Sequence, residues 1–176
     1  MKAVNAVTTS WPGLRVDRST FSAVAESELD AVHRYLLLLT GNRAVAEDLT
    51  GETFEKAFRL WRRFDPRRGS ARAWLCAIAR GTALDHFRSE ARRRRREERY
   101  VRDLPDSEEP ALGPGPLETA LVQLSPAERE VVALRVLLEL DGPTTARLLG
   151  ISATACSTRL SRALKRLEEM MSNAGH

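Results

Sequence analysis

Between Asp103 and Pro116 the chain reads DLPDSEEPALGPGP, with four acidic residues, no basic ones and four prolines. Proline lacks the N–H that a helix or ladder needs, and so few apolar groups cannot offset the entropy of ordering the chain. The stretch therefore reads as a flexible linker that no core can include. It divides the 176 residues into two small bodies. We place them at 21–100 and 117–172, with a loose tail over 1–20 and the linker at 101–116.

Both bodies read as helical, and no stretch alternates long enough to make a strand. In the first, Leu29, Val32, Leu36 and Leu39 form one seam, closed by Gly41. Asn42 can cap a second helix that runs to about Trp61. Its Ala46, Leu49, Thr53, Ala57 and Trp61 fall near one side, with Phe54 and Phe58 widening the stripe. Glu47, Asp48, Glu52 and Glu55 mark an acidic face, which suits either solvent or a basic partner. A loop comes next, RRFDPRRGS over Arg62–Ser70, and Ser70 can cap the third helix. Trp74, Leu75, Ile78 and Thr82 point that helix inward. Its far end carries Arg92 to Arg96, five consecutive arginines that cover every side and must meet water or phosphate.

The second body opens on Leu117, Ala120, Leu121 and Leu124. Ser125-Pro126-Ala127-Glu128 is a capping box with proline at the first helical position. Val131, Val132, Leu134, Val136 and Leu138 then make a helix apolar over a wide arc, broken at Asp141-Gly142-Pro143. Thr144 to Leu149 is one short helix, Gly150 sits where only glycine turns cheaply to the left, and Ser152 caps the last helix. On that helix Cys156, Leu160, Ala163, Leu164 and Leu167 form the apolar seam. Thr154, Ser157, Thr158, Ser161 and Lys165, flanked by Arg162, lie opposite. A short helix, a glycine turn and a longer helix with a small polar outer face make a helix-turn-helix, whose second helix fits the major groove. The plainer alternative is a helical hairpin with a solvated outer face.

Charge points the same way. Net charge is only +4, yet 25 of the 28 basic residues are arginine, the planar fork that pairs with phosphate. A GC-rich genome enriches arginine too. Four arginines (Arg62, Arg63, Arg67, Arg68) around Phe64 suit single-stranded nucleic acid, which needs cations for phosphates and an apolar surface for an unstacked base. Taken alone, that loop is more simply a charged surface with Phe64 tucked inward. Cys76 and Cys156 occupy small apolar positions and read as buried packing. No metal cluster, nucleophile arrangement or phosphate-binding glycine loop is present, so no cofactor, metal or enzymatic activity is expected. The longest apolar run, Tyr35 to Leu39, is far too short to span a bilayer, and the N-terminus lacks a signal-peptide pattern. A cytoplasmic protein is expected.

Together these residues resemble the extracytoplasmic-function sigma factors, the small promoter-recognition subunits of bacterial RNA polymerase. Gly41 to Thr50 with Glu52-Thr53-Phe54 is similar to the family's second conserved region. Trp74 to Arg80, with Asp85 and Arg88, is similar to its promoter-melting helix. Leu124 to Val131 and Leu149 to Ser152, with Thr158 to Ala163, are similar to its C-terminal domain. The resemblance implies an all-α protein of two domains without catalysis of its own. Glu47, Asp48, Glu52 and Glu55 would meet the clamp of the polymerase largest subunit. Arg62, Arg63, Phe64, Arg67, Arg68, Ser70, Trp74, Arg80 and Arg88 would engage the minus-ten element, with a flipped base taken up by the loop. Arg147, Thr154, Ser157, Thr158, Ser161, Arg162 and Lys165 would read the minus-thirty-five duplex, while the same domain touches the polymerase flap. Arg147, Arg159, Lys165 and Arg166 suit phosphates or intramolecular pairs. The chain would be monomeric when free, without membrane contact, and family members are often held by an anti-sigma protein.

Departures from the family pattern stand at Gly51, usually Gln, and Gly81, usually Asn. Thr144-Thr145-Ala146 replaces the usual Glu-Ile-Ala, and Ser157 stands where a basic residue is common. A bidentate arginine on guanine contributes about 1–3 kcal/mol of discrimination, so Ser157 implies a relaxed or unusual minus-thirty-five preference. The alternative reading is a stand-alone helix-turn-helix regulator whose N-terminal domain senses a ligand or dimerises.

Overall fold

Local capping sets most helix boundaries. The computed structural model describes residues 18–97 and 116–174. The expected tail up to residue 17, and residues 98–115 with nearly all of the expected linker, lie outside the described residues. Helix α1 spans Arg18–Thr40, α2 Arg43–Leu60 and α3 Ala71–Glu97. Gly41 turns left-handed at φ 65° after α1, and Asn42 accepts from the Val45 N–H to start α2. A 3₁₀ turn over Trp61–Arg63 leads into the arginine loop, and Ser70 accepts from the Ala73 N–H to start α3.

In the C-terminal half, α4 spans Pro116–Gln123, α5 Pro126–Val132, α6 Gly142–Leu149 and α7 Ala153–Ala174. Ser125 and Glu128 close the capping box of α5 reciprocally. The expected continuous central helix is instead α5 followed by a π turn over Ala133–Leu137, where the Leu138 N–H reaches back to the Ala133 carbonyl at 3.0 Å. That wider turn points Val136 into solvent at 55% exposure, so Val136 is not part of the apolar arc the sequence suggested. Asp141 does not simply break the helix: it accepts from the Thr144 N–H at 2.7 Å and caps α6, which begins at Gly142 rather than Thr144.

The chain does not bury two independent cores. Val32, Tyr35 and Leu36 of α1 and Leu75, Cys76 and Ala79 of α3 form one apolar cluster with Ala133, Leu134, Leu138 and Leu140 from beyond the linker. Helix α1 packs on α5 and on the π turn. Smaller clusters complete the C-terminal body: Ala120, Leu124, Val132, Ala163 and Leu167 join α4 to α7, and Val131, Ala146 and Cys156 hold the helix-turn-helix. Two seam residues face outward instead. Leu29 is 47% exposed and Leu164 43%, because a 3.6-residue period drifts around the helix and the neighbours cover only part of the stripe. Cys76 and Cys156 are free and buried. Burial pushes the Cys76 thiol up to about 12, so it stays protonated and inert.

Candidate nucleic-acid interface

In the helix-turn-helix, Gly150 ends α6 in the left-handed region at φ 67°, donating its N–H to the Arg147 carbonyl, while the Ile151 N–H bonds the Ala146 carbonyl. Ser152 accepts from the Ala155 N–H at 3.1 Å and starts α7. Cys156, Ala163 and Leu167 then bury the inner face. Thr154, Ser157, Thr158, Ser161, Arg162 and Lys165 are all exposed. Lys165 lies 3.9 Å from Glu169, and Arg147 donates to the Thr144 hydroxyl at 3.2 Å. Arg162 is exposed and makes no ion pair with any described residue. Arg166 is turned to the protein. It reaches Glu128 at 2.9 Å and so ties α7 to the capping box of α5. The Ser125 hydroxyl and N–H, and then Arg166, hold the Glu128 carboxyl below the ordinary carboxylate range.

In the N-terminal half, Glu47 and Asp48 are exposed on α2. Further along the same helix Glu52 pairs with Lys56 at 2.7 Å and Glu55 pairs with Arg59. Four residues apart on a helix, such pairs hold each other loosely and remain available to a stronger partner. The arginine loop is built on an aromatic stack. Phe64 is half-buried, stacked on Trp61 at 5.0 Å and 13° and tilted against Trp74 at 5.3 Å. Thus Phe64 is tucked inward, in line with the simpler reading of the loop, and one face of its ring is covered. Arg62, Arg63, Arg67 and Arg68 remain exposed above it, and Arg67 bonds Asp65 at 3.2 Å, an exposed pair that pins the turn. Ser70 is engaged as the α3 cap. Trp74 is half-buried in the aromatic cluster.

Helix α3 divides in two. At its far end Arg92 to Arg96 are exposed, and Arg88 pairs with Asp85 at 3.0 Å. Nearer its start the cations turn inward. Arg72 donates to Glu28 at 2.6 Å, and Arg80 donates to Glu130 of α5 at 2.8 Å. Tyr35 donates to the same Glu130 oxygen at 3.1 Å. The family resemblance places Arg80 on nucleic acid, and no local sequence signal marks the Tyr35–Glu130 contact, whose members lie 95 positions apart. Gly51 and Gly81 lie exposed within helices, and a Cβ at either would meet open space, so packing does not demand glycine there.

Comparison with known proteins fits this geometry. The Sigma-70 region 2 family model matches residues 24–93, and the Sigma-70 region 4 model matches residues 115–167. The ECF RNA polymerase sigma factor SigL of Mycobacterium tuberculosis is 30% identical over 159 residues, covering 87% of this chain and 89% of SigL. BldN of Streptomyces coelicolor, named an ECF RNA polymerase sigma factor, is 32% identical over 165 residues. This chain spans 61% of BldN and 50% of the M. tuberculosis factor SigG, so those relatives are longer. Among solved structures, the sigma factor RpoE in complex with the anti-sigma factor NepR from Bartonella quintana shares the fold, at TM-score 0.74 and 23% identity, covering 88% of this chain and 98% of that one. CnrH in complex with the cytosolic domain of CnrY does so at TM-score 0.65. With both regions matched in order and SigL related over nearly its whole length, the chain belongs to the extracytoplasmic-function RNA polymerase sigma factors of the sigma-70 family.

Proposed function

We propose that this chain directs bacterial core RNA polymerase to promoters, acting in the cytoplasm and without catalysis of its own. The observation that carries the reading is the outer face of α7: a helix held by a glycine turn, with Thr154, Ser157, Thr158, Ser161 and Arg162 exposed together. Small hydroxyls let such a helix approach the groove, and an arginine fork pairs with guanine or phosphate. In this reading α7, with Arg147 and Lys165, meets the minus-thirty-five duplex. The flap of the polymerase would contact the same domain. Because Ser157 offers one hydroxyl where a cation would offer a fork, readout there is relaxed.

The N-terminal half takes the minus-ten element. Arg62, Arg63, Arg67 and Arg68 would follow the strand around the Phe64–Trp61–Trp74 stack, with Ser70 fixing the loop, and Arg80, Arg88 and the exposed arginine run would extend the path. Unstacking a base costs a few kcal/mol, which an aromatic wall and paired phosphates offset. Glu47 and Asp48, with Glu52 and Glu55 released from their helical pairs, supply the charge that a basic clamp surface needs. An anti-sigma protein is a further proposed partner.

The test is co-purification with core polymerase. Asp48→Lys should weaken binding at least several-fold while the circular dichroism spectrum is unchanged, since one reversed charge at an interface acts on the partner and not on the fold. Unchanged capture of the polymerase by this variant would remove the clamp assignment.

A further inference from the structure

The inward half of α3 carries an arrangement that promoter binding does not require. Glu130 of α5 receives both the Tyr35 hydroxyl at 3.1 Å and the Arg80 Nε at 2.8 Å on one carboxylate oxygen. On either side of this node, Arg72 donates to the Leu138 carbonyl at 3.4 Å, and Arg129 donates to the Leu38 carbonyl at 3.5 Å. Each of these bonds joins a residue before the linker to one after it. Burial raises the Tyr35 hydroxyl well above its ordinary value, so it remains a donor. Glu130 and Arg80 are largely screened, at 15% and 26% side-chain exposure.

A carboxylate, like a phosphate, presents anionic oxygens that accept the N–H bonds of a guanidinium. We propose that Glu130 is an intramolecular stand-in for strand phosphate, latching the C-terminal body across Arg80 so that latch closure and strand binding at Arg80 exclude one another. The inference rests on the promoter reading above and adds a resting state to it. Exclusion follows from charge, because a phosphate brought to Arg80 in the closed arrangement meets the Glu130 carboxylate as well. It follows also from distance. Elements about 25 base pairs apart are separated by ~85 Å of duplex. Two bodies sharing Leu36, Leu75, Leu134 and Leu138 in one core cannot span that. The strand then sees only the open fraction of the chain, and its apparent affinity falls by that fraction.

The test uses the full chain with spin labels on Ala44→Cys and Glu168→Cys, both exposed, while the native Cys76 and Cys156 are buried. Inter-label distance is measured beside the anisotropy of a labelled 12-nucleotide single-stranded DNA at fixed ionic strength. Wild type should give one narrow distance. Glu130→Gln should broaden and lengthen it and tighten oligonucleotide binding about tenfold, as loss of one charge-assisted bond from the closed state requires. Tyr35→Phe, which keeps the ring in the core, should shift both readouts the same way by less. Unchanged distances in both variants, or opening without a gain in affinity, would overturn the latch. Transcription by the wild-type chain with core polymerase, run in parallel, separates the two claims: if it is intact, such a result removes the latch alone, and if it is absent the promoter reading fails first.

Discussion

Helices α3 and α7 are both long, both carry arginine, and treat it differently. On α7 the outward cations are held only at the surface or not at all: Lys165 lies 3.9 Å from Glu169, Arg162 has no ion pair with any described residue, and the hydroxyls beside it are exposed. On α3 the cations nearest the core are engaged from within, Arg72 by Glu28 and the Leu138 carbonyl, Arg80 by Glu130. A sequence states how much cationic charge a helix holds, whereas the fold decides how much remains for a ligand. The face of α7 proposed to read duplex is exposed as it stands. Of the cations proposed to follow a strand, those of the loop and of the Arg92 to Arg96 end are exposed, whereas Arg80 is held by Glu130.

The largest effect should come from the core that joins the two halves. Leu134 is fully buried in the cluster shared with α1, so Leu134→Ala should cost about 2–5 kcal/mol in urea unfolding. Trp61 and Trp74 sit in the N-terminal half, so their fluorescence should record that loss. A tryptophan transition left in place by this C-terminal change would break the shared-core account. Next, Arg80→Ala should cost about 1–3 kcal/mol by leaving a screened Glu130 carboxylate with the Tyr35 hydroxyl but no countercharge.

Smaller effects concern the helix-turn-helix itself. Thr145 is fully buried and its hydroxyl has no hydrogen-bond partner among the described residues, so Thr145→Val should raise stability by about 1 kcal/mol in the same unfolding assay. Asp141→Ala removes the α6 cap and should cost about 1 kcal/mol. The Thr144 N–H and hydroxyl hold Asp141 below its ordinary value of 3.8. A carboxyl depressed in the folded state stabilises above its unfolded value and loses that contribution as pH falls through the folded one, so Asp141→Asn should flatten the acid limb of a stability–pH profile. The smallest change is Arg162→Ala, within about 0.5 kcal/mol in stability. Its effect should appear in duplex binding, where a phosphate contact would lower the salt slope by about one and a base contact would relax sequence preference.

The features legible in the sequence are local ones. Asn42, Ser70, Ser125 with Glu128, Gly150 and Ser152 each signal a helix end through a bond spanning no more than five residues, and each makes that bond. Cys156, Ala163 and Leu167 are legible because burial follows helical period. Leu29, Leu164 and Val136 are misplaced by the sequence pattern because period alone does not say how wide a stripe the neighbours cover. Phe64 is ambiguous for the same reason, and the Trp61 and Trp74 rings settle it inward. The Tyr35–Glu130–Arg80 node has no sequence signal at all, since its members lie 95 and 50 positions apart across a linker that offers no hint of contact.

The most direct test of the whole account is transcription in vitro from a fragmented genomic library, with core polymerase and this chain, mapping RNA 5′ ends. The account predicts a discrete set of starts that share upstream sequence, with use of those starts reduced by Arg162→Ala. RNA that begins at the same scattered positions with and without the chain would contradict it.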